Sequence, residues 1–593
     1  MADGRDQDVA VVGSPSTSVE LTLDLLQEAT EERLLGALVA FAATQSGVPI
    51  TSVGQVVSIK LQNRWHEDSV FRNLVKRTGE IPPITNRQDT RTATLAVGAT
   101  FAQRNERYDP EVLGMVPPTG TRVSRVDQQL LNRLLADYRD EIFYLGNAYA
   151  NDVYFPMWFK HFASGPAGAG EAYHLGVFGK TGSGKSGLAK MVLLGYARHK
   201  EMGILIIDPQ GEFSLELTGR MFGQQRLPVG QALSGLGRDA VVYRIADLQL
   251  DDWDTFEELV VSLRFTEQLG IPAGSADNSR RAAEVIRQRL DGRHRLDSLS
   301  DRSVLEDALR AVVDQQNAQL IYSTPGRRQQ FIAYVNGLLQ DQDRLNQVLE
   351  TSWAPLASLF AAGQNRRTVW SIVSGLLGSD GASQTLQSNE TRPIVSVDLS
   401  ARGNQRFWSE ELQRRLIENL LGVLIVQSTR GMAQEFSANV LVILDEAHRH
   451  APSGSLERGT QADQLRSRLR RAVRETRKYG IGWLFISQTL GGLDNDILEQ
   501  LSIVFFGFGL ALGDEFRKLR EFAGGDDRAM ELYQSFRNPQ SFPRRDLQEF
   551  PFMAIGPVSP LAFSGRPLFF AAFTDPQEFL TANQFPGTAT ASQ

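Results

Sequence analysis

The chain has 593 residues, 42% hydrophobic and 22% charged, so it is too long for one core but has the composition of an ordinary globular protein. Its 62 Lys and Arg against 69 Asp and Glu give a net charge of −7, which excludes nucleic-acid binding through overall basicity. The absence of cysteine excludes disulfides, thiolate metal sites and a cysteine nucleophile. Apolar runs are far shorter than the roughly 20 residues that cross a bilayer, and the polar N-terminus is unlike a signal peptide, so we expect a cytoplasmic protein with no membrane partner.

The first 165 residues predict a small β-domain after a polar start. Residues 1–18 are polar, and we expect them to be disordered. Residues 31–45 carry apolar side chains at helical spacing behind Thr30, a possible cap, and predict a helix. Short apolar runs at 53–60, 92–101, 111–116, 119–126 and 141–148 favour a barrel or sandwich within residues 19–165.

A complete phosphate-binding loop, Gly-Lys-Thr-Gly-Ser-Gly-Lys-Ser, occupies residues 179–186 between an apolar run and a helix-forming segment. Its glycines let backbone N–H groups curl around a polyphosphate at the N-terminus of a helix. Lys185 can reach the β- and γ-phosphates and the Ser186 hydroxyl can ligate Mg²⁺, so we expect ATP and Mg²⁺ as cofactors. The residues expected at the nucleotide are Gly179, Thr181, Gly182, Ser183, Gly184, Lys185, Ser186 and Gly187, with Asp208 and Glu212 after the next apolar strand.

Later strands predict a mostly parallel α/β core with at least six strands. The six expected members are the run at 173–178, which enters the P-loop, and the runs at 203–207, 394–397, 440–444, 481–486 and 502–509. Residues 252–390, between the strands at 203–207 and 394–397, have helical patterns and predict an inserted helical domain, whose role as a binding element or as packing bulk stays open. The core is therefore predicted in two parts, 166–251 and 391–575, followed by a flexible tail at 576–593.

Two of these strands end in polar residues suited to hydrolysis. Strand 440–444 delivers Asp445 and Glu446 to the carboxyl edge of the sheet. Asp445 suits the holding of Mg²⁺ through water, and Glu446 suits the base that orients the attacking water. Gln488, after strand 481–486, can sense the γ-phosphate.

A predicted helix at 464–478 carries Arg466, Arg470 and Arg474 four residues apart. Like charges at this spacing destabilise a helix by about 0.2–0.5 kcal/mol per pair, so we expect something anionic to face the row. Two functions fit: an arginine finger reaching a neighbouring subunit, with Arg474 and Arg477 as candidates, or a DNA-phosphate surface, with Arg466 and Arg470 as candidates. A solvated basic face is the alternative.

The P-loop, Asp208-Pro-Gln-Gly-Glu-Phe, Leu444-Asp-Glu-Ala-His, Arg474-Glu-Thr-Arg-Lys-Tyr-Gly and Ser487-Gln488 occur in an order that resembles the HerA ATPases of the HerA/FtsK superfamily. The resemblance covers about 145–575. It implies an α/β fold with a RecA-like P-loop core, an N-terminal β-barrel, an inserted helical domain and a C-terminal brace on the adjacent subunit. It also implies a homo-hexamer that translocates double-stranded DNA with a NurA-like nuclease in end resection and recombinational repair.

Carried over by position, the resemblance assigns phosphate and Mg²⁺ to Lys185 and Ser186, the Walker-B acid and base to Asp445 and Glu446, and the sensor to Gln488. It also implies that an arginine of the 474–477 segment acts in trans. The sequence departs from the family pattern at two places, both outside this hydrolytic set. The family usually has His where Gln210 stands, and Arg-Pro where Thr489-Leu490 stand.

Other functions share the same hydrolytic residues. Related proteins are ring-shaped ATPase scaffolds in anti-phage defence complexes that assemble and regulate an effector, such as a sirtuin-type NADase or a nuclease. A helicase of the other DEAH-containing class does not fit, because an inserted region separates Lys185 from Asp445 and no second RecA-like half follows. Protein-unfolding motors are also P-loop rings, and only the set of motifs given above argues against that function.

Overall fold

A computed structural model of the chain contains two large β-sheets with helices packed between and around them. It describes residues 8–63, 67–79, 89–165, 168–219, 227–363, 366–378, 391–402, 409–432, 437–458, 460–544, 547–562 and 565–586. The expectations for residues 1–7 and 587–593 lie outside these ranges. Within the described ranges, no helix has both the length and the apolar character that a membrane span requires.

The first sheet is a closed antiparallel barrel. Its strands are β1 (Asp8–Val12), β2 (Glu20–Leu25), β3 (Leu38–Gln45), β4 (Val48–Gln62), β5 (Thr90–Arg104), β6 (Arg107–Glu111) and β7 (Arg122–Arg125). They follow the order β2-β1-β7-β3-β4-β5-β6, and a further pairing of β2 with β5 closes six strands into a barrel, with β6 attached to β5. Closure removes exposed sheet edges, and it confirms the predicted N-terminal barrel.

The helix predicted for residues 31–45 is wrong, because strand β3 occupies most of this segment. Val39 and Phe41 point into the barrel core, whereas Leu38 and Ala40 pack on the other side, against the core of the second sheet. Both faces of the strand are therefore buried. A continuous apolar run of this kind does not distinguish a strand from a helix by its periodicity.

The second sheet has eleven strands and contains the predicted α/β core. Its strands are β8 (Ile142–Ala148), β9 (Tyr154–Trp158), β10 (His174–Phe178), β11 (Gly203–Asp208), β12 (Ala240–Arg244), β15 (Ile394–Asp398), β16 (Val440–Leu444), β17 (Ile481–Ser487), β18 (Ile503–Gly507), β19 (Phe550–Ile555) and β20 (Leu568–Ala572). The remaining pair, β13 (Leu248–Gln249) and β14 (Arg367–Thr368), forms a separate two-stranded sheet.

Strand order in the second sheet is β12-β15-β11-β16-β17-β10-β18-β19-β20-β8-β9. The first seven strands run parallel, and the last four extend the sheet by antiparallel pairing. The six core strands predicted from the sequence are all present. The 141–148 run, predicted as part of the barrel domain, instead forms β8 of this sheet, because an alternating pattern does not identify the strand that a segment pairs with.

Helices surround both sheets and fill the long connection between β12 and β15. Within the described ranges, the α-helices are α1 (Ser69–Thr78), α2 (Gln128–Leu134), α3 (Lys185–Ala197), α4 (Glu212–Leu217), α5 (Val229–Gly235), α6 (Trp253–Ser262), α7 (Phe265–Gln268), α8 (Ala276–Leu290), α9 (Arg302–Val313), α10 (Gln315–Ile321), α11 (Pro325–Gln340), α12 (Gln342–Val348), α13 (Ala354–Ser358), α14 (Val369–Leu377), α15 (Glu410–Met432), α16 (Ala447–His450), α17 (Gln461–Thr476), α18 (Asn495–Leu498), α19 (Gly513–Phe522), α20 (Asp527–Gln534) and α21 (Pro576–Ala582).

Helices α6 to α14 form the helical region between β12 and β15, as the sequence predicts. Its residues share one continuous apolar core with the parallel strands. Trp353 is fully buried in it, packs 5.0 Å from the ring of Phe265 and donates its indole N–H to the Leu299 carbonyl at 2.7 Å. The region therefore packs as an extension of the sheet's own core.

Helix α3, which follows the P-loop, is closed at its carboxyl end by Arg238. The buried guanidinium donates to the carbonyls of Ala197, His199 and Met202, each at 2.7 Å. A cation at this end complements the helix dipole and satisfies carbonyls that the helix leaves unpaired. Burial lowers the pKa of Arg238 to about 10.

Parts of both segments predicted to be disordered are ordered. Strand β1 begins at Asp8 because its backbone pairs with β2 and β7 to complete the barrel. At the other end, helix α21 packs through Phe579, and the side-chain amide of Asn583 donates to and accepts from the backbone of Tyr144, at 2.8 Å in each direction. The segments 8–18 and 576–586 therefore belong to the fold.

We predict an acid-sensitive contribution from His450, which is buried with neither ring nitrogen hydrogen-bonded in the described structure. Burial lowers its pKa from 6.5 to about 3. Below pH 6.5 His450 binds a proton in the unfolded chain but stays neutral in the folded chain. The free energy of unfolding therefore falls as the pH drops toward 3. Between pH 6.5 and 5, denaturant titrations should show the wild type losing about 2 kcal/mol more than His450→Leu. If the wild type and His450→Leu lose the same stability, the account of His450 as a buried, neutral imidazole is wrong.

Candidate functional site

The carboxyl ends of four neighbouring parallel strands gather the predicted site residues at one edge of the sheet. The strands lie side by side in the order β11, β16, β17 and β10. Asp208 ends β11, Asp445 and Glu446 follow β16, Gln488 follows β17, and the P-loop follows β10. In α/β sheets of this kind, ligands bind outside the carboxyl ends of the strands.

The P-loop turns tightly into α3, and two of its glycines have left-handed backbone angles. The φ values are 83° at Gly182 and 87° at Gly184, a region that side chains other than glycine rarely adopt. A Cβ at Gly184 would lie 2.8 Å from the ring of Phe550, and one at Gly182 would lie 2.3 Å from the Gln540 amide nitrogen. The C-terminal segment of the same chain therefore packs directly on the loop, a contact that the sequence did not reveal.

Lys185 begins helix α3 as a buried ammonium group. Burial lowers its pKa, and the negative charges of Glu446, Asp445 and Glu212 oppose that shift. Among the described residues it has no hydrogen-bond or ion-pair partner within contact distance. A buried cation of this kind is costly unless an anion joins it, and a polyphosphate held by the loop would supply that anion.

Asp445 and Glu446 are both buried at the tip of β16. Burial, together with the charges of Glu446 and Asp208, raises the pKa of Asp445 to about 7. A bound cation would reverse that shift, and the Asp445 carboxylate and the half-buried Ser186 hydroxyl are hard oxygen donors that fit Mg²⁺. The two predicted metal residues are therefore chemically suited to the ion.

A chain of hydrogen bonds joins the P-loop to Glu446 through Gln488. The Thr181 hydroxyl donates to Gln488 Oε1 at 3.0 Å, and Gln488 Nε2 donates to Glu446 Oε1 at 2.6 Å. If the amide of Gln488 were reversed, its oxygen would face the Glu446 carboxylate at this distance, so the carboxylate sets the orientation of the amide. The structure thus brings three of the predicted residues into one connected unit.

The second carboxylate oxygen of Glu446 has a different environment. Oε2 is buried and makes no hydrogen bond in the described structure, with the closest ionisable atom being His448 Nδ1 at 3.4 Å. Glu446 also holds a left-handed backbone conformation, with φ of 49°, which is uncommon for a residue of this type. A carboxylate oxygen held in this way can accept a proton from a water molecule beside the P-loop.

Asp208, which the sequence predicts at the nucleotide, makes hydrogen bonds within the chain. Its two oxygens accept hydrogen bonds from the backbone N–H groups of Gly211, Glu212 and Ser214 and from the Ser214 hydroxyl, at 2.8 to 3.1 Å. The carboxylate therefore caps α4 at its N-terminus. Burial raises its pKa to about 6, although these four donors favour the ionised form.

Glu212, the other residue predicted after this strand, is held by Lys190 of α3. The buried Lys190 ammonium contacts Glu212 Oε1 at 2.7 Å and Glu216 Oε1 at 2.8 Å. Lys190 lies one helical turn after Ser186, so this buried charge cluster stands beside the first turn of the P-loop helix. Lys190 and Glu216 were missed because their partners are separated by more than twenty residues of sequence.

The arginine row on α17 is paired within the chain. Arg466 is buried and donates to the carbonyls of Pro452 and Gly454 and to Asp463. Arg470 forms a two-point contact with Asp494 and also pairs with Asp496. The anion expected opposite the row is therefore a set of the chain's own aspartates. The Arg466 guanidinium is buried, and its Nε makes no hydrogen bond among the described residues. The DNA contact of Arg466 stays a prediction.

The two finger candidates are different, since their side chains remain about half exposed. Arg474 pairs with Asp496 at 3.0 Å and has a side-chain exposure of 54%. Arg477 pairs with Glu171 at 2.8 Å and has a side-chain exposure of 51%. Exposed ion pairs are worth about 0–1 kcal/mol, so either arginine can leave its partner at little cost.

Comparison with known proteins relates the chain to a helicase family. Residues 172–354 match the family model described as "Helicase HerA, central domain". Over 342 residues the chain is 23% identical to the DNA double-strand break repair helicase HerA of Pyrococcus furiosus. That alignment covers 56% of this chain and 55% of the relative, so the match spans about half the length of each protein.

Similar solved structures include VirB4 of Thermoanaerobacter pseudethanolicus, with 15% identity, coverage of 74% of this chain and 97% of that one, and a TM-score of 0.32. The bacterial conjugative coupling protein TrwBdeltaN70 has 11% identity, coverage of 68% and 84%, and a TM-score of 0.32. The genome packaging NTPase B204 of Sulfolobus turreted icosahedral virus 2, in complex with AMPPCP, has 10% identity, coverage of 68% and 98%, and a TM-score of 0.28. At these scores the structures support no conclusion about the function of this chain.

We predict that Lys185→Ala and Glu446→Gln both abolish ATP turnover but differ in binding. Removal of the buried ammonium should weaken Mg-ATP binding strongly, whereas the isosteric amide keeps the site's shape and removes only the proton acceptor. Phosphate release and equilibrium binding of a fluorescent ATP analogue measure the two effects. Turnover by Glu446→Gln at the wild-type rate would remove Glu446 as the base.

Proposed function

We propose that this chain, whose residues 172–354 match the HerA central-domain family model, is an Mg²⁺-dependent ATPase that moves double-stranded DNA. The observation that carries the catalytic part is the hydrogen-bonded path from Thr181 through Gln488 to Glu446. It joins the phosphate-binding loop to the carboxylate best placed to activate water. Glu446 Oε2 is buried and makes no hydrogen bond in the described structure, whereas we expect a carboxylate with a purely structural role to have both oxygens hydrogen-bonded.

In the proposed reaction, each residue has a separate task. The P-loop N–H groups hold the phosphates, and Lys185 places its charge on the β- and γ-phosphates. Ser186 and Asp445 would hold Mg²⁺, which when bound neutralises charge developing on the phosphate oxygens. Glu446 Oε2 takes the proton of the attacking water, while Gln488 fixes the other oxygen of the same carboxylate. Gln488 is proposed to report the state of the γ-phosphate through its contact with Thr181.

The wider assignment follows the family and the named relative, a DNA double-strand break repair helicase. We propose that copies of this chain form a homo-hexameric ring in the cytoplasm, and that the ring works with a NurA-like nuclease in DNA end resection. In such a ring, Arg474 or Arg477 would serve as the finger that reaches the γ-phosphate of the adjacent subunit. Their half-exposed side chains and weak ion pairs support that role.

One observation favours keeping a second candidate function. The arginines expected to form a DNA-phosphate surface, Arg466 and Arg470, are paired with Asp463, Asp494 and Asp496 of the same chain. A ring-shaped ATPase that assembles and regulates a defence effector, such as a sirtuin-type NADase or a nuclease, requires no such surface. The same catalytic residues serve both functions.

We predict that linear duplex DNA raises the ATPase rate of the purified protein several-fold at about 50 mM salt, and that the stimulation declines steeply toward 200 mM because phosphate contacts release counterions. Steady-state phosphate release measures the effect, with Lys185→Ala as the background control. A rate that is indifferent to DNA but rises with a partner protein would instead support the effector scaffold.

We also predict partial rescue between two inactive variants. Arg474→Ala or Arg477→Ala would lack the group supplied in trans, whereas Lys185→Ala would lack its own nucleotide site. In rings refolded from mixed subunits, some interfaces combine an intact P-loop with an intact arginine, so activity should return to a fraction of the wild-type rate. Mixed rings with no activity, in which native mass spectrometry shows exchanged subunits, would exclude both arginines as fingers.

A further inference from the structure

Helix α19 reaches the candidate site although it carries none of the residues predicted there. Strands β17 and β18 pair with β10 on its two sides, and all three run parallel. The segments that follow them therefore leave the same edge of the sheet. By strand order, the P-loop lies between the loop that carries Gln488, which follows β17, and the first turn of α19, which follows β18.

The side chain of Glu515, in the first turn of α19, contacts both of these neighbours. Its Oε2 accepts hydrogen bonds from the backbone N–H groups of Leu490 and Gly491, at 2.7 and 3.0 Å. Its Oε1 lies 3.7 Å from Nζ of Lys180 in the P-loop, and the side chain is 18% exposed. One carboxylate therefore contacts the P-loop and the segment that begins two residues after Gln488.

The loop after Gln488 is held on two sides by different elements. Its N–H side depends on Glu515, because the described structure gives the N–H groups of Leu490 and Gly491 no other acceptor. Its carbonyl side is held by Ser453, whose hydroxyl donates to the Gly491 carbonyl at 2.7 Å. The Leu490 side chain is also fully buried. Without Glu515 the loop would keep its buried anchor but lose the partner of two backbone donors.

The position of this loop matters because Gln488 immediately precedes it. The Gln488 amide bonds the Thr181 hydroxyl at 3.0 Å and Glu446 Oε1 at 2.6 Å. Both contacts require the backbone of Gln488 to stay at a fixed distance from the P-loop. In enzyme sites, a misplacement of about 1 Å can cost about 10²-fold in rate.

We propose that Glu515 is a positioning residue for ATP hydrolysis, which acts through Gln488 by binding the N–H groups of the loop that follows it. The inference rests on the proposed function, because it takes Gln488 and Glu446 to belong to the hydrolytic site. The ion pair of Glu515 with Lys180 contributes little, since the lysine side chain is 45% exposed. The two hydrogen bonds therefore carry the effect.

Steady-state hydrolysis by the full-length protein tests the assignment. Glu515→Ala should lower kcat about tenfold and leave binding of a non-hydrolysable Mg-ATP analogue within about twofold of the wild type, because Lys185 and the P-loop backbone stay in place. Glu515→Gln should stay within about threefold of the wild-type rate, because its amide oxygen can still accept from both N–H groups. Asp514→Ala is the matched control and should keep the wild-type rate, since it removes an acid from the same helical turn whose side chain is 81% exposed and pairs with Arg517.

Two further measurements separate positioning from general support of the fold. Gln488→Ala should turn over slowly but measurably, because the proposed proton acceptor remains, and adding Glu515→Ala should slow it by less than about twofold further. In hydrogen-exchange mass spectrometry, the peptide that spans residues 489–491 should exchange faster in Glu515→Ala than in Asp514→Ala, because two of its N–H groups have lost their acceptor.

An equal loss of turnover and of analogue binding in a folded Glu515→Ala protein would overturn the inference, since the residue would then act on the whole site. A tenfold effect that persists in the Gln488→Ala background would overturn it too, as would a Glu515→Gln protein as slow as Glu515→Ala. A wild type that hydrolyses no ATP would contradict the proposed function instead, and hydrogen exchange would still decide whether Glu515 holds the loop.

Discussion

The structure depends on an electrostatic constraint at the carboxyl edge of the parallel sheet. Asp208, Asp445 and Glu446 are buried there within a few strands of one another, and burial and mutual repulsion raise the pKa values of the two aspartates to about 6 and 7. Lys185 is a buried cation whose pKa is lowered by burial, and the negative charges of Glu446 and Asp445 oppose that shift. Buried charges of both signs at one edge of the sheet are costly, and the proposed Mg-ATP ligand, which carries both phosphate and cation, would offset that cost.

The surrounding fold holds this edge in place from several directions. Arg238 closes the far end of α3 by binding three carbonyls, and Asp208 caps α4 with four hydrogen bonds. Phe550 and Gln540 pack on the left-handed glycines of the P-loop. Next to Phe550, Glu549 forms a two-point ion pair with Arg33 of the barrel domain, at 2.8 and 3.0 Å. The barrel is therefore connected to the P-loop through two adjacent residues of the C-terminal segment.

The sequence predicts well what is encoded locally. The P-loop, the buried strands β11, β16 and β17, and the acids after β16 all follow from short patterns whose chemistry is fixed by neighbouring residues. The helix prediction for residues 31–45 fails because β3 is buried on both faces, which removes the alternation that identifies a strand. The pairing of Arg470 with Asp494 and Asp496, and the placement of Phe550 against Gly184, depend on chain segments that the fold brings together, which no local pattern contains.

The P-loop, Asp445, Glu446 and Gln488 are proposed to form one ATP site, and every functional proposal for this chain depends on it. The most direct measurement is an experimental structure of the protein with a non-hydrolysable ATP analogue and Mg²⁺. We expect the triphosphate to lie between Lys185 and the Glu446 carboxylate, with Gln488 still contacting Glu446. A triphosphate bound elsewhere, or a Glu446 side chain turned away from the γ-phosphate, would contradict the proposed site.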